Sequence, residues 1–324
     1  MLCAMAQAGP TLHPAAYAAA VLLRDLKRLQ KRAAVMRRAP TAEHVHRTRV
    51  AGRRLCNALH IFADVLPEDH HPWLKRLKRM MRALGAARDL DVQLLWLHGV
   101  IAQWKVAPTD PNLSGAHRLE LRLSQQRRAS RNDIQRAIHR LERSGVLESM
   151  HDSLKTLKRK CGPSRPTAEY KTAARRAIAE RLKELLAFER FVHSPRRVNE
   201  LHAMRIAAKH LRYTLEAYED LLGSAAGKAS DRVRHFQALL GELHDCDVWM
   251  ETLPQFIRQE RERYTAFFGH ARGFAALEQG LTRLRENRQA ERDRLYACFV
   301  KDWDQSVRRG LWRRLGGVIA GKDR

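Results

Sequence analysis

The chain has 324 residues, and its hydrophobic fraction of 44% suffices for a packed core spread over about two domains. Lysine and arginine number 61 against 35 acidic residues, which gives a formal net charge of +26. Positive side chains in such excess repel one another in a compact protein unless a polyanion neutralises their charge. The composition therefore indicates nucleic acid, an anionic membrane or polymeric phosphate as the partner, against the alternative of a protein that is merely basic.

Three further features narrow the class of partner. Aromatic side chains make up only 6% of the chain and do not interleave with basic stretches, which disfavours base stacking on RNA or single strands. No apolar run approaches the roughly 18 residues of a membrane span, and the N-terminus lacks the basic region of a signal peptide. The cysteines are scattered without a CxxC pair, so we expect free thiols in a cytoplasmic protein. They are Cys3, Cys56, Cys161, Cys246 and Cys298.

In the first half of the chain, apolar residues recur at helical spacing between short turn signals. The expected segments are, in chain order, a loose tail over residues 1–13, a helix over Pro14–Arg38, a helix capped by Thr41 and ending at Leu66, a turn over Pro67–His71, a helix from Pro72 to about Ala87, a helix from Asp89 to about Val106, a loop over 106–115, and basic helices to about Lys160 with a break near Ser144-Gly145.

The second half repeats this order after a boundary at Cys161–Thr167, where Gly, Pro and Ser interrupt the helical pattern. The expected segments are a helix from Ala168 to about Arg190, an N-cap at Ser194 followed by Pro195, a helix over Leu201–Leu222, a turn over 223–227, a helix over Ser230–Gly241, and further helices to about Gly316. No strand of useful length with a period of two residues is present, so the predicted class is all-α.

A shift of 156 positions superposes the two halves without a gap, which indicates an internal duplication. We therefore predict one domain over about 14–320, made of a first helical bundle over about 14–163 and a second over about 166–320. The superposed positions are Lys27 with Lys183, His46 with His202, Arg49 with Arg205, Arg53 with Lys209, Phe62 with Tyr218, Gly85 with Gly241, Asp89 with Asp245, and Asp91 with Asp247.

Basic residues recur at steps of three and four in the two repeated helices, beside the apolar stripe and not opposite it. This placement predicts that the cations line a groove or channel shared with a neighbour. Steps of three and four set the side chains about 5–6 Å apart, and Arg and Lys both bind phosphate oxygens. The alternative is that the same cations form structural ion pairs with Asp or Glu.

Each repeat also carries a D-x-D pair, Asp89/Asp91 and Asp245/Asp247. Such a pair is able to ligate a divalent metal. We favour a structural role, in which the first Asp caps a helix or a carboxylate orients a motif arginine. Gly85 and Gly241 would then allow a tight connection between two helices just before the pair.

His202 with His244-Asp245 is similar to the metal site of HD phosphohydrolases. The duplication disfavours this hypothesis, because the first repeat has Arg88-Asp89 at the position of His244-Asp245. Arg is not a substitute for a metal ligand.

The pair of motifs VHRTRVAGRRL with LGAARDLDV, repeated as LHAMRIAAKHLRY with LGELHDCDV, resembles the CHAD domain, the conserved histidine α-helical domain. The resemblance runs from about residue 14 to at least 250. It implies two helical bundles related by a pseudo-twofold with a basic central groove or pore, binding of inorganic polyphosphate, association with polyphosphate granules, and no catalysis by the domain itself. We also expect no cofactor, no metal, no membrane partner and only non-specific contact with nucleic acid.

Carried over by motif position, the polyphosphate-binding residues form one set in each repeat. They are His46, Arg49, Arg53 and Arg54 in the first, His202, Arg205, Lys209 and Arg212 in the second, and Lys27 and Lys183 on the preceding helices. The chain departs from the pattern at Cys56, which stands opposite Arg212, at Asn57, opposite Tyr213, and at His210, opposite Arg54.

Three alternatives stay open. One is the metal-dependent phosphohydrolase built on His202, His244 and Asp245. Another is a protein that binds nucleic acid through its overall charge. The third is a granule-surface protein that attaches through exposed basic segments such as Lys155–Lys160.

Overall fold

The structure is a computed structural model that describes residues 11–12, 14–67, 70–104, 112–161, 165–222 and 224–319. Over these residues the chain is helical apart from turns and one short parallel pairing. In that pairing Thr11–Leu12 (β1) lies beside Arg165–Pro166 (β2). The predicted all-α class is confirmed.

The helices differ widely in length, from a single turn to the 45 residues of α9. In the described parts of the chain they are α1 (Pro14–Arg38), α2 (Ala42–Ile61), α3 (His71–Trp104), α4 (Asn112–Arg143), α5 (Val146–Cys161), α6 (Ala168–Leu186), α7 (Val198–Ala217), α8 (Glu219–Leu222), α9 (Ser224–Phe268), α10 (Phe274–Arg308) and α11 (Leu311–Ile319). Short 3-10 turns follow α2 at Ala63–Val65 and α6 at Glu189–Phe191.

Several boundaries agree with the sequence signals. Helix α1 has the predicted limits, and Thr41 caps α2 by accepting a hydrogen bond from the His44 backbone N–H at 3.2 Å. The break between α4 and α5 falls at the predicted Ser144-Gly145, where Gly145 takes a φ of 63°. A left-handed residue of this kind is the usual end of a helix, and glycine adopts it without a Cβ clash.

The predicted breaks before the two D-x-D pairs are wrong. Helix α3 runs unbroken through Gly85 and Asp89, and α9 runs unbroken through Gly241 and Asp245. Neither aspartate is a helix cap, and neither glycine forms a connection. A glycine inside a helix costs about 1 kcal/mol relative to alanine, which the packing of a long helix readily outweighs.

Other boundaries were also misplaced. Helix α7 begins at Val198 and not after Ser194, whose carbonyl instead accepts a turn hydrogen bond from the Arg197 N–H. Helix α2 ends at Ile61 before Leu66, α6 ends at Leu186 before Arg190, and α7 ends at Ala217. The turn expected over 223–227 is largely helical, since α9 begins at Ser224. Residues 1–10, 13, 105–111 and 223 lie outside the described part, and with them most of the expected tail and much of the expected loop over 106–115.

By backbone contacts the chain divides into two compact units. Unit 1 comprises Met1–Asp89, Arg127–Ala177 and Tyr213–Ala226, and unit 2 comprises Leu90–Gln126, Ile178–Arg212 and Gly227–Arg324. Each unit therefore takes segments from both sequence repeats. The repeat boundaries near 163–166, the pseudo-twofold and the shared groove stay predictions.

The core of unit 1 forms where α1 packs against α2 and α5. Leu22, Leu26, Leu29 and Met36 of α1 are fully buried. At one end, Tyr17 donates a hydrogen bond to the Ala217 carbonyl at 2.8 Å. Its ring joins an aromatic cluster in which Phe62 and Tyr218, superposed by the duplication, pack edge to face with centroids 5.6 Å apart. All four rings of this cluster are buried and add to the core of unit 1. The cluster consists of Tyr17, Phe62, Tyr170 and Tyr218.

The core of unit 2 forms where α3, α4, α9 and α10 bring together buried residues such as Leu97, Leu119, Trp249 and Leu281. Helices α4 and α10 approach closely where both sequences have glycine. A Cβ on Gly115 would stand 2.3 Å from the Leu277 carbonyl oxygen, and a Cβ on Gly280 would stand 2.2 Å from the Asn112 carbonyl oxygen. Only glycine fits at either position.

Cys56, Cys161, Cys246 and Cys298 carry free thiols, while Cys3 lies outside the described residues. No described helix is long and apolar enough to cross a membrane.

Candidate functional site

Helix α2 presents its basic residues beside its buried face in unit 1. Val45, Leu55 and Leu59 are almost fully buried, and the adjacent row contains His46, Arg49 and Arg53. His46 is exposed, and the two arginines are half-buried. We call His46, Arg49 and Arg53 the α2 stripe.

Arg49 lies against α3 at the glycine of the LG motif. A Cβ built on Gly85 would stand 2.8 Å from Nη1 of Arg49. The absence of a side chain at Gly85 therefore leaves the space that the guanidinium occupies. Burial lowers the pKa of Arg49, and neighbouring Arg53 lowers it further, while Asp89 opposes both. No carboxylate among the described residues lies within ion-pair distance of Arg49.

Arg53 and Arg54 are adjacent in sequence but have different surroundings. Nη1 of Arg53 donates to the Tyr213 hydroxyl at 3.3 Å. Nε of Arg54 instead lies 3.6 Å from a carboxylate oxygen of Glu216, off the α2 stripe. The structure thus groups His46, Arg49 and Arg53 and sets Arg54 apart in an ion pair.

The α2 stripe ends at Cys56, the position where the second repeat has Arg212. Burial raises the pKa of the Cys56 thiol to about 11, so this residue is a neutral thiol near pH 7. The α2 stripe therefore has one cation fewer than its counterpart on α7.

Helix α7 presents the corresponding row in unit 2, and we call it the α7 stripe. Its four members are all half-buried, beside the buried Leu201, Met204, Ala208 and Leu211. Nε of Arg212 donates to the Gln237 side-chain carbonyl at 2.7 Å, which fixes the guanidinium against α9. The α7 stripe consists of His202, Arg205, Lys209 and Arg212.

His202 contacts His244 of α9 through the Nδ1 atoms of both rings, 3.0 Å apart. Only one of these two nitrogens is able to carry the bridging proton, so the contact requires at least one neutral ring. Burial, followed by repulsion from Arg205 and His202, lowers the pKa of His244 to about 4.

The stripe histidines are both disfavoured as cations. Burial lowers the pKa of His46, and Arg88 is the strongest of the neighbouring cations that lower it further. Burial also lowers the pKa of His202, with further repulsion from Arg205 and Lys209. In each stripe, neighbouring cations thus add to the effect of burial on the pKa of the histidine.

The D-x-D carboxylates do not share one role. Asp89 is exposed on α3 and partly offsets, through its charge, the lowering of the Arg49 pKa. Asp247 accepts a hydrogen bond from Nε of the buried Arg292, whose Nη2 also donates to the Pro195 carbonyl at 2.9 Å. Asp91 is half-buried in unit 2.

Sequence reasoning missed two buried arginines of α10. Arg292 pairs with Asp247, and Arg288 stacks over the Trp96 ring at 4.0 Å while its Nη1 lies 3.5 Å from Sγ of Cys246. Asp245 is exposed and contributes to the electrostatic environment of Arg288. In the sequence these arginines stand among many others on α10, and no spacing distinguishes the buried pair.

The two lysines carried over from the motif are both exposed. Lys27 is exposed on α1 and lines a cleft of about 1170 Å³ against α5, together with Lys155, Lys158 and Arg159. No residue of α2 lines this cleft. Lys183 is exposed on α6.

Among the described residues no group of three or more His, Cys, Asp and Glu side chains is arranged to hold a metal ion. His202 and His244 form a pair, and Asp245 follows His244 on the exposed side of α9.

Comparison with known proteins identifies the family. The model of the CHAD domain family matches residues 20–254. The crystal structure of the CHAD domain from the plant Ricinus communis superposes with a TM-score of 0.63 at 22% identity, covering 90% of this chain and 92% of that one. PptA from Streptomyces chartreusis superposes with a TM-score of 0.58 at 17% identity, covering 91% of this chain and all of that one. No curated protein matches the chain.

Proposed function

The chain belongs to the CHAD domain family, and on that basis we propose that it binds inorganic polyphosphate through the α2 stripe and the α7 stripe. The binding is electrostatic: Arg and Lys neutralise successive phosphates and release their counterions. The domain acts as a binding module without catalysis, cofactor or metal. Its place in the cell is the cytoplasm, on polyphosphate granules.

The observation that carries this proposal is the row of cations beside the buried face of each of the two helices. Burial disfavours charge there, yet Arg49 stands beside Arg53, and Arg205 and Lys209 stand beside His202. Neighbouring cations repel one another, and a bound anion relieves that repulsion. A phosphate chain supplies negative charge at every unit, so it relieves the repulsion at several positions at once.

The fixed geometry of the stripes favours a chain over a single phosphate. Arg49 is placed by Gly85, Arg53 by Tyr213 and Arg212 by Gln237. Cations that are already positioned lose little side-chain entropy on binding. A long polyphosphate engages several of them together, which raises its affinity over that of short oligophosphates.

The direct test is binding of long-chain polyphosphate at physiological salt by wild type and by the stripe variant, Arg49→Glu/Arg205→Glu. The matched control is Arg128→Glu/Arg131→Glu, which makes the same change in net charge at two exposed positions of α4. We expect the stripe variant to bind at least tenfold more weakly and the control to change by less than about threefold, since exposed charges act weakly at this salt.

A competitor decides between polyphosphate and nucleic acid. DNA at equal phosphate concentration is expected to displace little of the bound polyphosphate. Equal displacement by DNA, or equal losses in the stripe variant and the control, would mean that the net charge of +26 acts diffusely.

The contact between His202 and His244 makes a phosphohydrolase the second candidate. Release of phosphate from polyphosphate with added Mn²⁺, lost in Asp245→Asn, would support it against a binding module.

A further inference from the structure

A basic groove lies in unit 1 between α3 and α4, and its described lining contains no residue of α2 or α7. Its volume is about 1010 Å³. Arg76, Arg79 and Arg82 line it from α3 at steps of three. From α4 it is lined by Arg136, Arg140 and Arg143, at steps of four and three. We call it the α3–α4 groove.

The arginines of the α3–α4 groove are barely neutralised. Asp133 is the only carboxylate among its described lining residues, and it pairs with Arg136 three positions along the same helix. Within the described residues, the other five arginines form no ion pair or hydrogen bond through their side chains. Glu142 neighbours the groove in sequence, but it pairs with Arg37 of α1.

Two facing rows of arginine on rigid helices are suited to an extended anion. Within each row the side chains are about 5–6 Å apart. A guanidinium presents five donors in a planar fork that engages two phosphate oxygens at once. The groove thus offers several phosphate contacts along its length. A single phosphate reaches only some of these contacts, whereas a chain of phosphates reaches more of them.

The lining also distinguishes between two classes of polyanion. Apart from His139, the described lining residues include no aromatic ring on which a base could stack. Single-stranded nucleic acid draws much of its affinity from such stacking. A chain of phosphates without bases fits these residues better than a nucleic acid.

We infer that the α3–α4 groove is a second site for polyphosphate, separate from the α2 and α7 stripes. The inference extends the proposed function, because it names the same class of ligand at a different surface. A protein with such a site holds one long chain at two places or two chains at once. Its affinity for long chains then exceeds that of either site through effective concentration.

The test counts sites with a short polyphosphate of defined length, titrated by calorimetry at physiological salt. The groove variant is Arg79→Glu/Arg140→Glu, and the control is Arg128→Glu/Arg131→Glu. All four positions are exposed, and Arg and Glu have similar helix propensities, so both variants are expected to fold. The control positions lie on α4 outside the groove lining.

We expect the groove variant to bind one short chain fewer per protein than wild type, or to bind it at least tenfold more weakly. The control is expected to bind as wild type does. An unchanged number and affinity of sites in the groove variant, or a loss equal to that of the control, overturns the inference. Preferential displacement of the short chain from the groove by single-stranded DNA assigns the groove to nucleic acid and also overturns it.

The stripe variant Arg49→Glu/Arg205→Glu separates the two proposals. If the stripe variant keeps the site that the groove variant loses, the groove binds polyphosphate independently of the stripes. If the stripe variant binds as wild type does while the groove variant loses a site, the function proposed for the stripes fails and the groove site stands. A second readout is the modification of Arg79 and Arg140 by phenylglyoxal, which the short chain should slow at least threefold. Equal modification with and without the chain contradicts binding in the groove.

Discussion

Gly85 of α3 and Arg49 of α2 meet so closely that a Cβ on the glycine would stand 2.8 Å from Nη1 of the arginine. We predict that Gly85→Ala displaces the Arg49 guanidinium and weakens polyphosphate binding about three- to tenfold. Stability should stay equal or rise, because the displaced group is the end of a flexible side chain and alanine favours the helix by about 1 kcal/mol.

Gly241 is the matched control for this substitution. It holds the same motif position on α9, but a Cβ there meets no atom within 4 Å. Gly241→Ala should therefore stabilise the protein by a similar amount without changing the affinity. Thermal denaturation and binding measured on the two variants together check this, and equal affinities for both would contradict the role given to Gly85.

The close approach of α4 and α10 predicts an effect on stability. A Cβ on Gly280 would stand 2.2 Å from the Asn112 carbonyl oxygen, and backbone is unable to move aside as a side chain does. Gly280→Ala is therefore expected to lower the free energy of unfolding by about 1–3 kcal/mol, the usual cost of overpacking. Urea denaturation measures the change in the free energy of unfolding. A variant as stable as wild type would mean that α4 and α10 move apart without loss of stability.

The ion pair of Asp247 and Arg292 is predicted to matter for stability more than for binding. Both side chains are largely buried, at 15% and 10% exposure. Asp247→Asn leaves the buried guanidinium uncompensated, which costs about 3–5 kcal/mol in buried pairs of this kind. The double variant Asp247→Asn/Arg292→Met should recover much of that loss, because it removes both charges.

A double-mutant cycle on unfolding free energies tests the coupling between these two residues. Additive losses in the two single variants would contradict a coupled pair.

The histidine pair predicts how stability depends on pH. The folded pKa of His244 is lowered from 6.5 to about 4, so the unfolded state binds the proton more readily than the folded state. The stabilising contribution of the neutral ring is complete above pH 6.5 and is lost as the pH falls toward 4. The slope of unfolding free energy against pH from this one group is at most about 1.4 kcal/mol per pH unit. His244→Asn, whose amide replaces the Nδ1 contact, should lose less stability between pH 6.5 and 4 than wild type.

Binding is predicted to tighten as the pH falls. The pKa values of His46 and His202 lie below 6.5 in the free protein, so both rings are mostly neutral at pH 8. A bound polyanion raises both pKa values, and the complex takes up protons. Affinity at pH 6 should therefore exceed affinity at pH 8. The double variant His46→Gln/His202→Gln should show a flatter profile, and an unchanged profile would remove both histidines from the site.

The sequence predicted the helical class and the residues of the two stripes because both follow from spacing along one helix. The core of α1 follows from spacing in the same way, because its buried residues recur at steps of three and four; they are Leu22, Leu26, Leu29, Ala33 and Met36. Arg54 shows the limit of motif matching. It belongs to the motif, but its position after Arg53 directs it to Glu216.

The continuous helices α3 and α9 could not be predicted from local signals. Glycine followed by a D-x-D pair is typical of a helix start, and only the packing of the whole helix overrides it. The ion pair of Asp247 with Arg292 joins residues 45 positions apart, and the α3–α4 groove joins rows of arginine from two helices. Contacts between residues so far apart in sequence depend on how the helices pack, and a single sequence carries no local signal of such contacts.

The salt dependence of polyphosphate binding tests the central claim most directly. The logarithm of the association constant should fall linearly with the logarithm of salt concentration, with a slope set by the number of phosphates neutralised. Loss of two stripe contacts in Arg49→Glu/Arg205→Glu should make the slope shallower by about 1.4–1.8, at roughly 0.7–0.9 per contact. A slope equal to that of wild type, with the control Arg128→Glu/Arg131→Glu also unchanged, would mean that the two stripes do not touch the phosphate chain.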